Sequence, residues 1–282
     1  MTSPSIPGAS HSAHSLARRV AAALVMIPVV LGALWLGDPY WALLVTAACG
    51  AMAWEWRRLT ARGSLGPAGL AMVGLVLAVL LLQGLGEPDT ARWALIAGVL
   101  LLGLAVGLGE GVARAAWLVG GVIYVALPGL ALTWLRQDPR FGLPAVLWLL
   151  LLVWAIDTAA FAAGKLIGGP KLIPRISPSK TWAGLAGGAL GAALVGYLTA
   201  RWGEQTSLWP LTLFSLLLAF VEQAGDAFES GIKRHFGVKD SSGLIPGHGG
   251  ILDRVDGLVA VTLAVTGFIL LSGGVPLADW HQ

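Results

Sequence analysis

Apolar stretches of about 18 residues or more recur along the whole 282-residue chain, and they limit the folds that it can adopt. Hydrophobic residues make up 56% of the sequence and charged residues only 12%. A soluble domain carries about 25% charged residues, so a soluble helical bundle is disfavoured because too little polar material remains to cover its surface. The pattern predicts an all-α, polytopic helical membrane protein.

The apolar runs predict about nine transmembrane helices. The first follows Arg18 and Arg19, and the others are predicted at roughly 40–59, 67–84, 91–108, 112–134, 143–165, 182–201, 208–235 and 251–271. Residues 1–17 are rich in Ser, Pro and His and are expected to form a mobile N-terminal tail. N-terminal transmembrane helices then occupy 18–140, and a second transmembrane region that carries the polar motifs occupies 141–282. A cleaved signal peptide is the competing interpretation of the first run, but no A-x-A site follows it.

Basic residues are distributed unevenly between the two predicted sides of the membrane. If the N terminus is inside, four of the 18 Lys and Arg residues, Arg92, Arg136, Arg140 and Arg201, fall outside and the other fourteen fall inside. This asymmetry predicts a cell (inner) membrane protein whose loop at 237–250 faces the cytoplasm. The net charge of +3 therefore reflects membrane-flanking loops, and we expect no nucleic-acid partner.

A row of charged side chains interrupts the apolar run that begins near residue 208. Glu222, Asp226, Glu229 and Lys233 recur at spacings of four, three and four, which place them on one helix face. One charge at the centre of a membrane helix costs roughly 2.5–3.5 kcal/mol, so the row needs counter-charges, a water-filled cavity or metal ions. A loop with five glycines follows, and Asp253 opens the next apolar run. Two acidic helix ends across a glycine-rich loop predict a metal and phosphate site.

Asp226 and Asp253 are the best candidate metal ligands. Mg²⁺ prefers oxygen ligands and commonly bridges one or two carboxylates to substrate phosphates. Small neighbours, Gly225 and Gly249 among them, would let a phosphate approach. The predicted phosphate-binding residues are Ser230, Lys233, Arg234, Lys239, His248, Gly249, Gly250 and Arg254. Glu222, Glu229, Asp240 and Asp256 are either further ligands or ion-pair partners of these cations. Zinc is disfavoured because His248 has no second His or Cys nearby.

A second polar segment, DTAAFAAGKLIGGPKLIPRISPSKTW, joins the sixth and seventh predicted helices. Lys165, Ser177 and Lys180 of this segment are predicted to bind phosphate groups. Asp157 lies inside an apolar run and therefore needs a partner or a cavity, so we expect it to be buried in a cavity wall. A basic loop that only sets the membrane topology is the alternative interpretation.

Residues Ser230 to Asp256, SGIKRHFGVKDSSGLIPGHGGILDRVD, resemble the signature of the phosphatidate cytidylyltransferase (CDP-diacylglycerol synthase) family. The segment from Asp157 to Gly184 also resembles a motif of that family. It departs at Ala183, where relatives often carry an acidic or amide residue. The resemblance is specific over roughly 157–257, whereas the first 140 residues match mainly in hydropathy.

The resemblance implies transfer of the cytidylyl group of CTP to phosphatidate, giving CDP-diacylglycerol and pyrophosphate for phospholipid synthesis. It makes 141–282 the catalytic region, with Asp226, Asp253 and Lys233 as catalytic residues and Asp226 and Asp253 as metal ligands. It also implies Mg²⁺, a second cation such as K⁺, contact with membrane lipid, and a homodimer.

Two other classes of membrane protein place carboxylates within a helical bundle. A CDP-alcohol phosphotransferase has an element like Asp256-Gly257, but further aspartates at fixed spacing are absent downstream, where only Asp279 follows. An ion-coupled transporter does not need a glycine-rich loop with a basic partner loop, and no internal repeat is visible. Release of pyrophosphate from a nucleotide would separate the enzyme from both classes.

Overall fold

The computed structural model describes residues 24–205, 207–245 and 249–274. These residues form nine helices, which confirms the predicted all-α class. The helices are α1 Leu24–Leu36, α2 Tyr40–Thr60, α3 Gly66–Gly84, α4 Pro88–Glu110, α5 Val112–Gln137, α6 Gly142–Leu166, α7 Trp182–Trp202, α8 Trp209–His235 and α9 Leu252–Ser272. The tail predicted at residues 1–17 lies outside the described residues, as do Arg18, Arg19, His248 and Asp279.

Seven helices among the described residues, α3 to α9, are long and apolar enough to cross a membrane. Helix α1 is shorter over its described part, and α2 carries Glu55, Arg57 and Arg58 near its end. Large apolar side chains such as Leu101 of α4 and Leu271 of α9 are exposed on the outside of the bundle, as expected where lipid replaces water. The chain is therefore a multi-pass membrane protein.

Between α6 and α7, where the sequence suggested only a loop, the chain forms a two-stranded antiparallel hairpin. Strand β1 (Lys171–Ile173) pairs with strand β2 (Ser177–Thr181). The Thr181 hydroxyl then accepts a hydrogen bond from the Gly184 N–H at 3.0 Å, which caps the start of α7. The hairpin therefore ends at α7 and fixes the position of the preceding residue, Lys180.

Small residues let the helices around the polar motifs pack closely. At Gly191 of α7, an added Cβ would lie 2.9 Å from the Ala159 side chain of α6. At Gly225 of α8, an added Cβ would lie 3.1 Å from the Asp256 carbonyl oxygen of α9. Gly225 was predicted to leave space for a phosphate. The structure uses that space for contact between α8 and α9, in the manner of small residues at membrane helix interfaces.

At each end of the bundle, polar contacts join residues that the predicted topology places on the same side of the membrane. Arg57 and Arg114, both predicted inside, lie 3.7 and 3.5 Å from the Glu110 carboxylate. Arg136, predicted outside, donates from Nε to the Leu34 carbonyl at 2.9 Å. The core of α2, α3 and α5 between these ends is apolar, with large buried side chains. They include Trp41, Met52, Trp56, Met72, Val76, Leu80, Val122 and Val125.

Candidate active site

Carboxylates from three helices gather at one end of α6, α8 and α9. They are Asp157 of α6, Glu222, Asp226 and Glu229 of α8, and Asp253 and Asp256 of α9. The cations near them are Lys165, Lys180, Lys233 and Arg254. The carboxylates therefore outnumber these cations, and a cluster of this kind needs bound protons or further positive charge inside a membrane protein.

The pair Lys233–Asp253, here named the closed pair, is held by the protein on several sides. Lys233 Nζ lies 2.7 Å from Asp253 Oδ1 and 2.9 Å from Glu229 Oε2. Asp253 Oδ2 accepts hydrogen bonds from the Gly250 N–H at 2.8 Å and from the N–H and hydroxyl of Ser241 at 2.9 Å each. The Asp253 side chain is only 5% exposed. The Gly250 amide, predicted to contact phosphate, is thus used to orient Asp253.

The pair Lys180–Asp226, here named the open pair, is less enclosed. Lys180 Nζ lies 2.5 Å from Asp226 Oδ2, and the two side chains are 14% and 27% exposed. The other oxygen of Asp226 accepts a hydrogen bond from the Ser230 hydroxyl at 3.2 Å. Because Lys180 comes from the hairpin and Asp226 from α8, the pair closes one side of a cavity between these elements.

That cavity has a volume of about 300 Å³, at the lower end of the range for small-molecule sites. Its lining residues are Asp157, Ala160, Phe161, Gly164, Lys165, Ser179, Lys180, Thr181, Gly184, Leu185, Gln223 and Asp226. Two of the predicted phosphate ligands, Lys165 and Lys180, line it, whereas Ser177 does not and its strand neighbours Ser179 and Thr181 do. Asp157 lies in the wall as predicted but is exposed to the cavity and not buried, which corrects that expectation.

Glu229 and Asp256 connect the two pairs. Their carboxyl groups lie within hydrogen-bonding distance of each other, and Asp256 also lies near Asp226. Two carboxyl groups at that distance need a shared proton or a cation between them. The Oε1 atom of Glu229 is buried and has no hydrogen-bond donor among the described residues. The Tyr124 hydroxyl, which lies near Glu229, Asp226 and Asp256, is also buried and has no hydrogen-bond partner among them.

This set of oxygens fits a hard cation such as Mg²⁺, which prefers carboxylate and other oxygen ligands. In the part of the chain that the structure describes, however, no three His, Cys, Asp or Glu side chains form a ready-made metal cage. Asp226 and Asp253 each face a lysine. Their assignment as the metal ligands stays a prediction.

The remaining predicted residues take several different positions. Arg234 donates to the Ile176 and Val238 carbonyls at 3.4 and 3.1 Å, so it ties the hairpin to the end of α8. Lys239 and Asp240 are exposed on the loop. Gly249 has φ of +83°, and an added Cβ there would lie 2.7 Å from Asp253 Oδ2.

Two more of the predicted residues can be placed along α8 and α9, and one further residue cannot. Glu222 is buried and accepts a hydrogen bond from Gln223 Nε2 at 2.7 Å. Arg254 is exposed at the start of α9 and lies near Asp157. His248 cannot be placed because it lies outside the described residues.

Two residues that were not predicted from the sequence adjoin the site. Glu55 of α2 is fully buried and accepts hydrogen bonds from the loop before α9, and Tyr124 of α5 faces the carboxylates from the opposite half of the chain. The signal for Glu55 was present, because a carboxylate in an apolar helix marks a functional position by default. Tyr124 gave no such signal, since a single tyrosine in an apolar run is ordinary.

Comparison with known proteins shows the family of the chain. Residues 17–272 match the model of the cytidylyltransferase family. The chain is 38% identical to the phosphatidate cytidylyltransferase of Brucella suis over 272 residues, which cover 94% of this chain and 97% of that relative. It is 35% identical over 256 residues to the phosphatidate cytidylyltransferase of Pseudomonas aeruginosa, which covers 87% and 93% of the two chains. The chain therefore belongs to the cytidylyltransferase family.

Proposed function

We propose that this protein transfers the cytidylyl group of CTP to phosphatidate, forming CDP-diacylglycerol and pyrophosphate for phospholipid synthesis. Family membership and the names of its relatives support this reaction. The observation on the molecule itself that carries it is the cavity of about 300 Å³, which Lys165, Lys180 and Asp226 line and in which Lys180 pairs with Asp226. Cations at the mouth of an apolar bundle suit substrates that combine phosphate groups with acyl chains.

The reaction needs little covalent chemistry from the protein. A phosphate oxygen of phosphatidate attacks the α-phosphorus of CTP, and the bond from that phosphorus to the oxygen bridging to the β-phosphate breaks as pyrophosphate leaves. The attacking oxygen is already anionic, so neither a covalent enzyme intermediate nor a strong base is required. The residues act by holding two polyanions in line and by neutralising charge on the leaving group. Lys180, once released from Asp226, would donate to phosphate oxygens, while Lys233 would stay on Asp253.

Mg²⁺, with a second cation such as K⁺, is part of this proposal. Asp226 and Asp253 are the proposed ligands, with Glu229 and Asp256 as further oxygens. When bound, a divalent ion would neutralise negative charge on the phosphate oxygens. The excess of carboxylates and the buried Glu229 Oε1 without a donor support such a site.

The proposed setting is the cell (inner) membrane, with the active site facing the cytoplasm. CTP would enter from the cytosol and phosphatidate sideways from the inner leaflet. With the N terminus inside, nine spans place the C terminus outside. A topology reporter fused after Gln282 tests this arrangement, and a cytoplasmic signal would contradict it. A homodimer is also proposed, on the family resemblance alone.

The activity is tested by incubating the purified full-length chain, in detergent micelles with phosphatidate and Mg²⁺, with CTP labelled in the cytosine ring. We expect lipid-extractable label and one pyrophosphate for each cytidylyl group transferred. Omission of phosphatidate and the Asp226→Asn variant serve as controls. Absence of lipid-linked label from folded wild-type protein would refute the proposal. Release of CMP from added CDP-diacylglycerol and an alcohol, with no pyrophosphate formed from CTP, would point to a phosphotransferase, and ion flux without nucleotide cleavage would point to a transporter.

A further inference from the structure

We propose that Glu55 is a positioning residue for Asp253 and acts through the loop that joins α8 to α9. The inference rests on the proposed function, because Asp253 is one of the residues proposed to be catalytic. It assigns part of the active site to the N-terminal half of the chain, where the sequence pattern predicted no site residue.

The Glu55 carboxylate bonds the middle of the glycine-rich loop and the residues that follow it. Glu55 lies near the end of α2 and is 0% exposed. Its Oε1 accepts hydrogen bonds from the Ser242 hydroxyl at 2.6 Å and the Ile251 N–H at 3.0 Å. Its Oε2 accepts the Leu252 N–H at 2.8 Å, and the Ser241 hydroxyl lies 3.5 Å away. One side chain therefore holds the middle of the loop and the chain where the loop ends and α9 begins.

These contacts also stabilise the start of α9. The first N–H groups of a helix have no partner within the helix, and negative charge is favourable beside them. Ile251, the residue at the N-cap of α9, makes no side-chain capping bond. The Glu55 carboxylate, which comes from another helix, takes that role. Asp253 lies in the same first turn, so the orientation of its carboxylate depends on the hydrogen bonds that stabilise that turn.

The same short segments hold both carboxylates. The N–H and hydroxyl of Ser241 donate to Asp253, while the adjacent Ser242 donates to Glu55. The Gly250 N–H donates to Asp253, and a Cβ added at Gly250 would lie 2.5 Å from Glu55 Oε1. Because Glu55 packs directly on the backbone that supplies these donors, loss of its charge should misalign Asp253 without touching any substrate.

The first test needs neither substrate nor metal. Amide hydrogen–deuterium exchange is measured on the full-length chain in detergent with EDTA, for wild type and for Glu55→Gln. The glutamine places an NH₂ group against N–H donors, so exchange at residues 250–252 should be about tenfold faster. Glu110→Gln is the matched control, since Glu110 is a partly buried carboxylate of the same half of the chain, and it should leave this loop unchanged. Unchanged exchange at 250–252 in Glu55→Gln would overturn the inference.

The second test separates positioning from substrate contact and from general stability. Glu55→Gln should lower kcat about tenfold or more while each KM stays within about twofold. A raised KM with normal kcat would mean substrate contact and would overturn the inference. So would faster exchange throughout the chain, because that is the result of a merely structural role.

Ser242→Ala provides a milder variant and a double-mutant cycle. It removes one bond to Glu55, so it should lower kcat about threefold, and it should add little to Glu55→Gln. If Glu55→Gln does not fold, exchange and kcat of Ser242→Ala decide the question, and wild-type values for both would overturn the inference. A wild-type chain that makes no lipid-linked cytidine would refute the proposed function. The exchange result would still show whether Glu55 anchors the loop.

Discussion

The open pair and the closed pair are both formed by a lysine and an aspartate, but they differ in burial and in the number of hydrogen bonds that the aspartate accepts. In the closed pair, Asp253 is 5% exposed and receives hydrogen bonds from a lysine, a hydroxyl and two backbone N–H groups. In the open pair, Asp226 is 27% exposed and is paired with Lys180 and the Ser230 hydroxyl. A buried carboxylate whose oxygens all accept hydrogen bonds from the protein keeps its orientation. A partly exposed carboxylate with fewer bonds can exchange its partner when a charged substrate binds.

The difference follows from the elements that carry the two pairs. Lys233 and Asp253 lie on α8 and α9, which are joined by the loop that also supplies donors to Asp253. Lys180 lies on β2 of the hairpin, a separate element that meets α8 at the edge of the cavity. We infer that the closed pair provides a fixed electrostatic frame and that the open pair is the part of the site that responds to substrate.

The largest effect is expected from Asp253→Asn. Breaking a buried ion pair costs about 3–5 kcal/mol, although Glu229 would still partner Lys233 and reduce that loss. The asparagine NH₂ would also face the donors of Ser241 and Gly250. We expect cytidylyl transfer to fall by at least about a hundredfold and Tm to fall by more than about 5 °C. Thermal unfolding in detergent and the transfer assay measure both. A normal Tm would show that Asp253 is less firmly held than its contacts indicate.

Asp226→Asn should reduce activity as much as Asp253→Asn does, but it should change stability much less. Asparagine keeps the size of the side chain and a bond with Ser230. Because the Asp226 side chain is 27% exposed and Lys180 lines the cavity, water can reach the pair when the charge of Asp226 is removed. We expect transfer to fall by about a hundredfold. We expect Tm to change by less than about 2 °C. The comparison of the two aspartate variants on one preparation decides the matter, because equal losses of Tm would remove the distinction between the open and closed pairs.

Lys180→Ala should have a smaller effect, on substrate binding. A charge-assisted hydrogen bond to phosphate is worth about 1.5–3 kcal/mol, so KM for CTP or for phosphatidate should rise roughly tenfold. Lys180→Arg keeps the charge and should recover part of this loss. The measurement is a pair of saturation curves, one for each substrate. Wild-type KM and kcat for both substrates would contradict this prediction and would mean that Lys180 acts only in setting the membrane topology.

The transmembrane architecture and the polar region could be predicted from the sequence because charge inside an apolar run is costly and therefore conspicuous. The family prediction from residues 157–257 is confirmed by the match over residues 17–272. The hairpin was not predicted, since its strands are short and one of them contains Pro178. The partners of each carboxylate were not predictable either. They depend on contacts such as that of Glu55 with Ser242, which lie 187 residues apart in the chain.

Lys165→Ala is expected to have the smallest effect. It tests a second lysine that lines the cavity, on α6 and not on the hairpin. The Lys165 ammonium group is exposed on α6 and stands over the Phe161 ring at 5.7 Å, so water already screens it. KM for either substrate should rise no more than about threefold, with Tm unchanged. Lys171→Ala is the matched control, because Lys171 is exposed on β1 and does not line the cavity, and it should match wild type. An effect larger than that of Lys180→Ala would place the substrate phosphates against α6. The open pair would then be a structural contact and not the responsive part of the site.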